Sequence, residues 1–187
     1  MSHPFEKLHP VIQRRLFTVL LSLTILIMVI MNVVGMILNT AEAPSGIVSF
    51  ELAISPARAQ SIINSWSSAA QLRAAFIQGL DFLFPLVYST MFGLGSILAA
   101  GVLRIRGKRF AQWGVILAWG LLLAATCDYI ENIALITLLF GRVTSPFPEI
   151  AGVCAVIKFT MILSGSIYIL YGLVMRILPQ RSTQAAT

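Results

Sequence analysis

Seven residues with polar or charged side chains lie within otherwise apolar stretches and are the candidates for a chemical role. They comprise three acids, a lysine, a tyrosine and two asparagines: Asn32, Asp81, Tyr88, Asp128, Glu131, Asn132 and Lys158. Asp128, Glu131 and Asn132 are three and four residues apart, so a helix places them on one face. Such groups suit proton transfer by carboxylates, binding of a cationic or hydroxyl-bearing amphiphile, or binding of a hard cation through oxygen atoms.

These residues fall at one depth of the helices that carry them. A rise of about 1.5 Å per residue puts the acids, the lysine and the asparagines between about 11 and 20 Å from the same membrane surface. Ionised side chains at that depth are costly unless they are paired or hydrated. One lysine cannot neutralise three acids, so we expect a protonated carboxyl, water or a cation in a shared site. A purely structural alternative pairs Lys158 with Glu131 and lets Asp81 accept from Tyr88 or Asn32.

Membrane-spanning helices must position the candidates, because the chain is too apolar for a soluble protein. Of 187 residues, 58% are hydrophobic and 11% charged, where soluble domains have roughly 25% charged residues. Four stretches reach the length needed to cross a bilayer: residues 16–38, 74–103, 113–140 and 150–175. The sequence therefore predicts an all-α integral membrane protein, a four-transmembrane-helix bundle forming a single membrane domain over residues 1–187, with a disordered tail at 180–187.

Basic residues predict the orientation. Most of the 13 Lys and Arg lie in the N-terminal segment, in the loop at 104–109 and near the C-terminus, which places all three in the cytoplasm. We therefore expect a multi-pass protein of the cell inner (plasma) membrane whose basic residues meet lipid head groups and not nucleic acid. Ala41-Glu42-Ala43 resembles a signal-peptidase site, but the preceding apolar run is longer than a signal peptide's, which favours an uncleaved anchor.

The outer loop at residues 40–72 is the one long connection. Alternating apolar residues predict a short extended segment that comprises Val48, Phe50, Leu52 and Ile54. Ser55 and Pro56 then form a helix start. The apolar spacing that follows predicts a short amphipathic helix on the outer membrane face, with Trp66 at the interface. This segment is either a lid over the site or a loop that pads the bundle.

Pro85 predicts a kink in the second span. A proline ring clashes with the carbonyl four residues earlier, and Pro85 also lacks the N–H that this carbonyl would accept. That carbonyl belongs to Asp81. A kink here leaves an acceptor free beside a carboxylate.

Several chemistries are excluded by residue type. Both histidines, His3 and His9, precede the first apolar stretch, so the bundle offers no histidine for haem, copper, zinc or a catalytic triad. Cys127 and Cys154 are interpreted as inert buried thiols. We expect no metal and no cofactor. Whether a reaction is catalysed stays open.

The motifs resemble those of a group of uncharacterised bacterial four-span membrane proteins. They are Phe50-Glu51-Leu52-Ala53, then residues 80–84 (LDFLF) with Tyr88, then Asp128-x-x-Glu131-Asn132. This resemblance implies the architecture and no activity. A weaker likeness at the level of fold is to EXPERA-domain proteins, whose acidic intramembrane pocket binds sterols and cationic amphiphiles. Their histidine motif is missing here.

Three hypotheses for function follow. The leading one is an outward-side intramembrane acidic pocket that binds a lipid-like or cationic small molecule. The second is a non-catalytic subunit or assembly factor of a larger membrane complex. The third is a proton- or cation-coupled transporter, which needs a homo-oligomer, at least a dimer, because four helices are few for alternating access.

Overall fold

The computed structural model describes residues 3–179 and is helical throughout, without a strand in that range. The predicted tail at 180–187 lies outside the described residues. Within residues 3–179, seven α-helices follow one another: α1 (Pro10–Gly35), α2 (Ile47–Glu51), α3 (Pro56–Ser65), α4 (Ser68–Leu80), α5 (Phe84–Ile105), α6 (Trp113–Leu139) and α7 (Phe147–Ile177). Three short 3-10 turns accompany them: Pro4–Lys7, Met36–Leu38 and Arg109–Gln112.

Four helical segments are long and apolar enough to cross a membrane: Pro10–Leu38, Phe84–Ile105, Arg109–Leu139 and Phe147–Ile177. The predicted multi-pass helical bundle is thereby confirmed at this level. Helices α5, α6 and α7 pack on one another, and α1 packs mainly on α5. Because α1 is apolar on all sides and buries little of its surface, it lies at the periphery, where lipid would cover its outer face.

The prediction of one helix over residues 74–103 is wrong. Helix α4 starts earlier, at Ser68, and ends at Leu80, and α5 begins only at Phe84. Residues 81–83 form turns between them, and Pro85 occupies the first turn of α5, where its missing N–H does no harm. The proline therefore produces a full break where the sequence predicted a kink. Asp81 consequently lies at the C-terminal cap of α4 and not inside a span.

Helices α2 and α3, called the cap from here on, close one end of the bundle. The predicted extended segment is wrong, because residues 47–51 are helical. The predicted start of α3 is present, since the Ser55 hydroxyl accepts the Arg58 N–H at 3.3 Å. Trp66, however, is only 3% exposed and donates its indole N–H to the Leu38 carbonyl at 2.9 Å. The apolar face of α3 therefore packs on protein, and Trp66 does not lie at a lipid interface.

Candidate functional site: a buried acidic cluster beneath the cap

Lys158, on α7, lies at the centre of a cluster of carboxylates. Its Nζ is 2.9 Å from Glu131 Oε1 and 3.1 Å from Asp128 Oδ1, both on α6, and 3.6 Å from Glu51 Oε2 on α2. All four residues are buried, with exposed fractions from 0% for Glu131 to 6% for Glu51. Here "acidic cluster" denotes these four residues together with Asp81. Carboxylates from two helices, α2 and α6, thus meet an ammonium from a third, α7.

The α6–α7 contact positions most of the cluster. Asp128 and Glu131 are one helical turn apart, so both carboxylates leave α6 on the same face. Helix α7 approaches that face closely because Gly165 has no side chain: a Cβ there would lie 3.3 Å from Leu121. Lys158 lies two turns before Gly165 on the same side of α7. Its ammonium thus reaches both acids of α6 with hydrogen-bonding distances.

Glu51 is the member of the acidic cluster that was not expected from the sequence. The cap was expected to lie on the outer surface, so an acid in it was not placed among the intramembrane residues. The structure turns Glu51 inward, because the preceding Phe50 packs edge-on against buried Trp66 and fixes the orientation of α2. One signal was available: Glu51 is the single charged residue within the apolar run at 47–54.

The break between α4 and α5 brings Asp81 to the cluster, and Asn132 of α6 holds it there. Asn132 is fully buried, and its Nδ2 donates to the backbone carbonyl of Asp81 at 3.0 Å. The Asp81 side chain is buried as well and lies within electrostatic range of Asp128, Lys158 and Glu51. With four carboxylates and one ammonium, the acidic cluster has a formal charge of −3. The surplus is larger than the −2 expected from the sequence.

Tyr88 lies at the edge of the cluster. Its ring packs on Phe84 with the centroids 5.1 Å apart, and its hydroxyl faces the Asp128 carboxylate. That hydroxyl is buried and completes no hydrogen bond of good geometry. The Tyr88 hydroxyl therefore lies as a potential donor beside Asp128.

Asn32 does not belong to the acidic cluster. Its side chain is exposed on α1 and lines a groove of about 240 Å³ between α1, α2 and the start of α5. The expectation that it faces the bundle interior is wrong, because its exposed side chain lies in this groove and not at the acidic cluster. The groove is apolar along most of its length, with polar groups near the cap; its lining includes Met28, Met31, Asn39, Ser45, Val48 and Phe84.

Several polar atoms of the site are buried without a hydrogen-bond partner. They are Oε2 of Glu131, Oδ1 of Asn132, the Tyr88 hydroxyl, and both amide atoms of Gln78, which lies one turn before Asp81 on α4. Buried polar atoms are nearly always paired. The arrangement of acids and orphaned acceptors therefore calls for a hydrogen-bond donor or a positive charge from outside the chain's own side chains.

Burial also determines how readily the Glu51 carboxyl binds a proton. Loss of hydration raises the pKa of this carboxyl above its ordinary value, and the negative charge of Asp128 adds to the effect, against the attraction of Lys158. Glu51 thus takes up a proton more readily than a free glutamate. A group of this kind can exchange a proton for another positive charge.

No metal centre is evident in the described part of the chain. Among residues 3–179, no group of three or more His, Cys, Asp or Glu side chains is arranged to hold a metal ion. Cys127 and Cys154 are unbonded and buried, on α6 and α7 respectively. The chemistry available at the acidic cluster is therefore that of carboxylates, an ammonium, an amide and a phenol.

Comparison with known proteins adds no relative. The sequence matches no model of a protein family, and no curated protein or solved structure matches it. The likeness to the four-span bacterial group stays a prediction.

Proposed function

We propose that this protein binds a cationic small molecule, lipid-like in its apolar part, at the acidic cluster beneath the cap. The observation that carries the proposal is the surplus of acid: four buried carboxylates surround one ammonium. Uncompensated charges at such depth are costly and mark functional sites by default. An amine ligand supplies both the missing positive charge and donors for the orphaned acceptors Glu131 Oε2, Asn132 Oδ1 and Gln78 Oε1.

The groove beside α1 supports the lipid-like part of the ligand. The groove is polar near the cap and apolar further from it. A bilayer leaflet is likewise polar at its surface and apolar in its interior. Phe84 lines this groove and also stacks on Tyr88, which faces Asp128. One layer of side chains therefore separates the groove from the acidic cluster. An amphiphile would enter sideways from the membrane.

The cap supports gated access. Ile47 and Val48 line the groove, and Glu51, one turn further on α2, contacts Lys158. A small shift of α2 would open the layer between the two and remove Glu51 from Lys158. The ion pair at 3.6 Å is longer than a hydrogen bond, so Glu51 is the most weakly held of the three acids that pair with Lys158. We propose that the cap is the lid of this site.

Dodecylamine, which is protonated at pH 7, tests the proposal. Dodecanol has the same chain without the charge, and methylammonium has the charge without the chain. We expect dodecylamine to raise the thermal unfolding midpoint of the purified protein in detergent, because a ligand stabilises the state that binds it. The two partial probes should raise the midpoint much less.

Two variants give this experiment its control. Replacing Asp128→Asn and Glu131→Gln together should abolish the shift with dodecylamine. Glu42→Gln removes an exposed acid that pairs with Arg58 outside the cluster and should keep the full shift. Equal shifts with dodecylamine and dodecanol in all three proteins would show that the chain alone is recognised and would overturn the proposal.

Proton binding without an organic ligand is the second candidate, and the same charge surplus favours it. A cluster at −3 that holds no cation must retain protons. Potentiometric titration between pH 5 and pH 9 then gives more protons exchanged by the wild type than by the double variant. If that difference is found while dodecylamine does not bind, the cluster is a proton site, and a role in coupled transport becomes the better hypothesis.

A further inference from the structure

The segment before α1 folds back into the end of the bundle that lies opposite the cap. Residues 3–8, called the N-terminal plug here, place the ring of Phe5 in an apolar niche between α5 and α6. The niche is lined by Gly93, Ile97, Val115 and Ala118. The fit is close: a Cβ on Gly93 would lie 3.2 Å from the Phe5 ring. The sequence predicted only a polar cytoplasmic end here.

Hydrogen bonds hold the backbone of the plug in place. Gln13 of α1 is buried and donates through Nε2 to the carbonyls of Phe5 at 2.7 Å and Leu8 at 3.1 Å. Glu6 accepts the backbone N–H of His3 at 3.0 Å with one carboxylate oxygen. Its other oxygen lies 3.5 Å from Arg104, at the end of α5. The plug is therefore attached to both α1 and α5.

His3 is the titratable residue that the plug buries. It is 1% exposed, and its ring packs against Phe5 and, edge-on at 4.8 Å between centroids, against Trp119 of α6. Its Nδ1 accepts the backbone N–H of Phe5 at 3.2 Å, so a neutral ring carries its proton on Nε2. Within residues 3–179, the Nε2 atom has no hydrogen-bond partner. This site suits an uncharged imidazole.

Protonation of His3 would disrupt these contacts in two ways. A second ring proton would be added at Nδ1, which would then face the Phe5 N–H as one donor against another. The added charge would also lie in an apolar and aromatic niche without solvent. Among the described groups around His3, only Glu6 attracts the added charge, and Glu6 is already engaged by Arg104 and the His3 N–H; Gln13 and Trp119 carry no charge.

We propose that the N-terminal plug is a pH-sensitive closure of this end of the bundle, released when His3 is protonated. Burial lowers the pKa of His3 in the docked plug below its ordinary value of 6.5, and this outweighs the attraction of Glu6. Docking is thus at full strength above about pH 6.5 and weakens as the pH falls below it. At pH 5.5, one unit below, the equilibrium constant for docking of the plug falls by up to about tenfold.

Release of the plug opens the niche toward the bundle interior. Gly93 lies five residues from Tyr88 on α5, and Ala118 lies about 15 Å along α6 from Asp128. Water that enters the vacated niche would therefore approach the acidic cluster from the side opposite the cap. This inference depends on the contacts of the plug and not on what the acidic cluster binds.

Thiol labelling of the niche tests the plug. In a protein with Cys127→Ala and Cys154→Ala, a cysteine introduced as Ala118→Cys is covered by Phe5 while the plug is docked. The rate of its reaction with a small polar maleimide is measured at each pH in the protein that keeps His3 and in the His3→Asn variant. The pH dependence of the thiol itself cancels in the ratio of the two rates. Asn keeps an acceptor for the Phe5 N–H but does not titrate. We expect a rate ratio near one at pH 7.5 and a severalfold higher rate for His3 at pH 5.5.

His3→Lys supplies the complementary variant, since it carries a charge at both pH values. It should label faster than His3→Asn already at pH 7.5. Circular dichroism and gel filtration check that all variants keep the bundle fold; a variant that fails them is replaced by Phe5→Ala, which empties the niche and should label rapidly at both pH values. The proposal is overturned if the ratio of His3 to His3→Asn stays at one at pH 5.5.

Discussion

The side-chain amide of Asn132 donates a hydrogen bond of 3.0 Å to the backbone carbonyl of Asp81. In an uninterrupted helix that carbonyl would accept the N–H of residue 85, but residue 85 is a proline and has none. Asn132 thus satisfies an acceptor that Pro85 leaves open. The bond ties α6 to the break between α4 and α5 and holds Asp81 at the cluster.

Asn132→Leu should therefore destabilise the protein by about 1–3 kcal/mol, the usual cost of a buried acceptor without a partner. The free energy of unfolding in mixed detergent micelles measures the loss. In a Pro85→Ala background residue 85 regains its N–H, and the loss on replacing Asn132 should be smaller. The same loss in both backgrounds would mean that Asn132 acts in some other way.

Lys158→Met should cost about 3–5 kcal/mol, because it leaves Asp128, Glu131 and Glu51 buried without their ammonium. The same unfolding measurement reports it. Adding Glu131→Gln to Lys158→Met removes one of the stranded charges and should recover part of the loss. If the double variant is less stable than Lys158→Met alone, the carboxylates do not depend on Lys158 for their compensation.

Glu51→Gln should change the pH dependence of stability. Because burial raises the pKa of Glu51, the folded state binds its proton more tightly than the unfolded state. The wild type therefore loses stability as the pH rises above about 4.5, until the raised pKa is passed. Glutamine does not titrate. The free energy of unfolding of the variant should therefore increase relative to that of the wild type as the pH rises, by up to about 1.4 kcal/mol per pH unit.

Glu42→Gln is the matched control for that titration, since Glu42 is an exposed acid of the same loop. This variant removes an acid outside the buried cluster, so any pH trend that both variants share does not report on Glu51. A Glu51→Gln curve parallel to the wild-type curve over this range would contradict the inward, desolvated position of Glu51.

Gly114→Ala tests the close packing of α6 on its neighbours. A Cβ at this position would lie 2.6 Å from both the Ser96 carbonyl oxygen and the Ala100 Cβ, and overpacking of this kind typically costs about 1–3 kcal/mol. Gly101→Ala is the control, because nothing lies within 4 Å of its added Cβ; it should be neutral or slightly stabilising. Equal thermal shifts for both would argue against the close helix contact.

Much of the architecture follows from the sequence. Four apolar runs of sufficient length predict the spanning helices. The one-turn spacing of Asp128 and Glu131 predicts a shared face, and the structure brings both to Lys158. Pro85 marks the interruption before α5. These features depend on local periodicity and residue type, which can be read directly from the sequence.

Features that depend on packing between distant segments could not be predicted. Glu51 reaches the cluster only because α2 turns inward beneath Trp66, and nothing local to residues 47–51 specifies that direction. Asn32 was expected to be the contribution of α1 to the same layer, but it lines the groove between α1, α2 and the start of α5. Its position depends on how α1 packs on these distant segments. His3 precedes the first apolar run, so its burial against Trp119 depends on a fold-back that hydropathy does not reveal.

The position of Lys158 in the last spanning helix has a consequence for biosynthesis. Glu51, Asp128 and Glu131 are all translated before it, so the nascent chain carries three acids destined for burial while their common counter-charge is still in the ribosome. Insertion of α6 cannot be completed as a stable step until α7 follows. A chain truncated before α7 should thus retain three acids without the ammonium that compensates them.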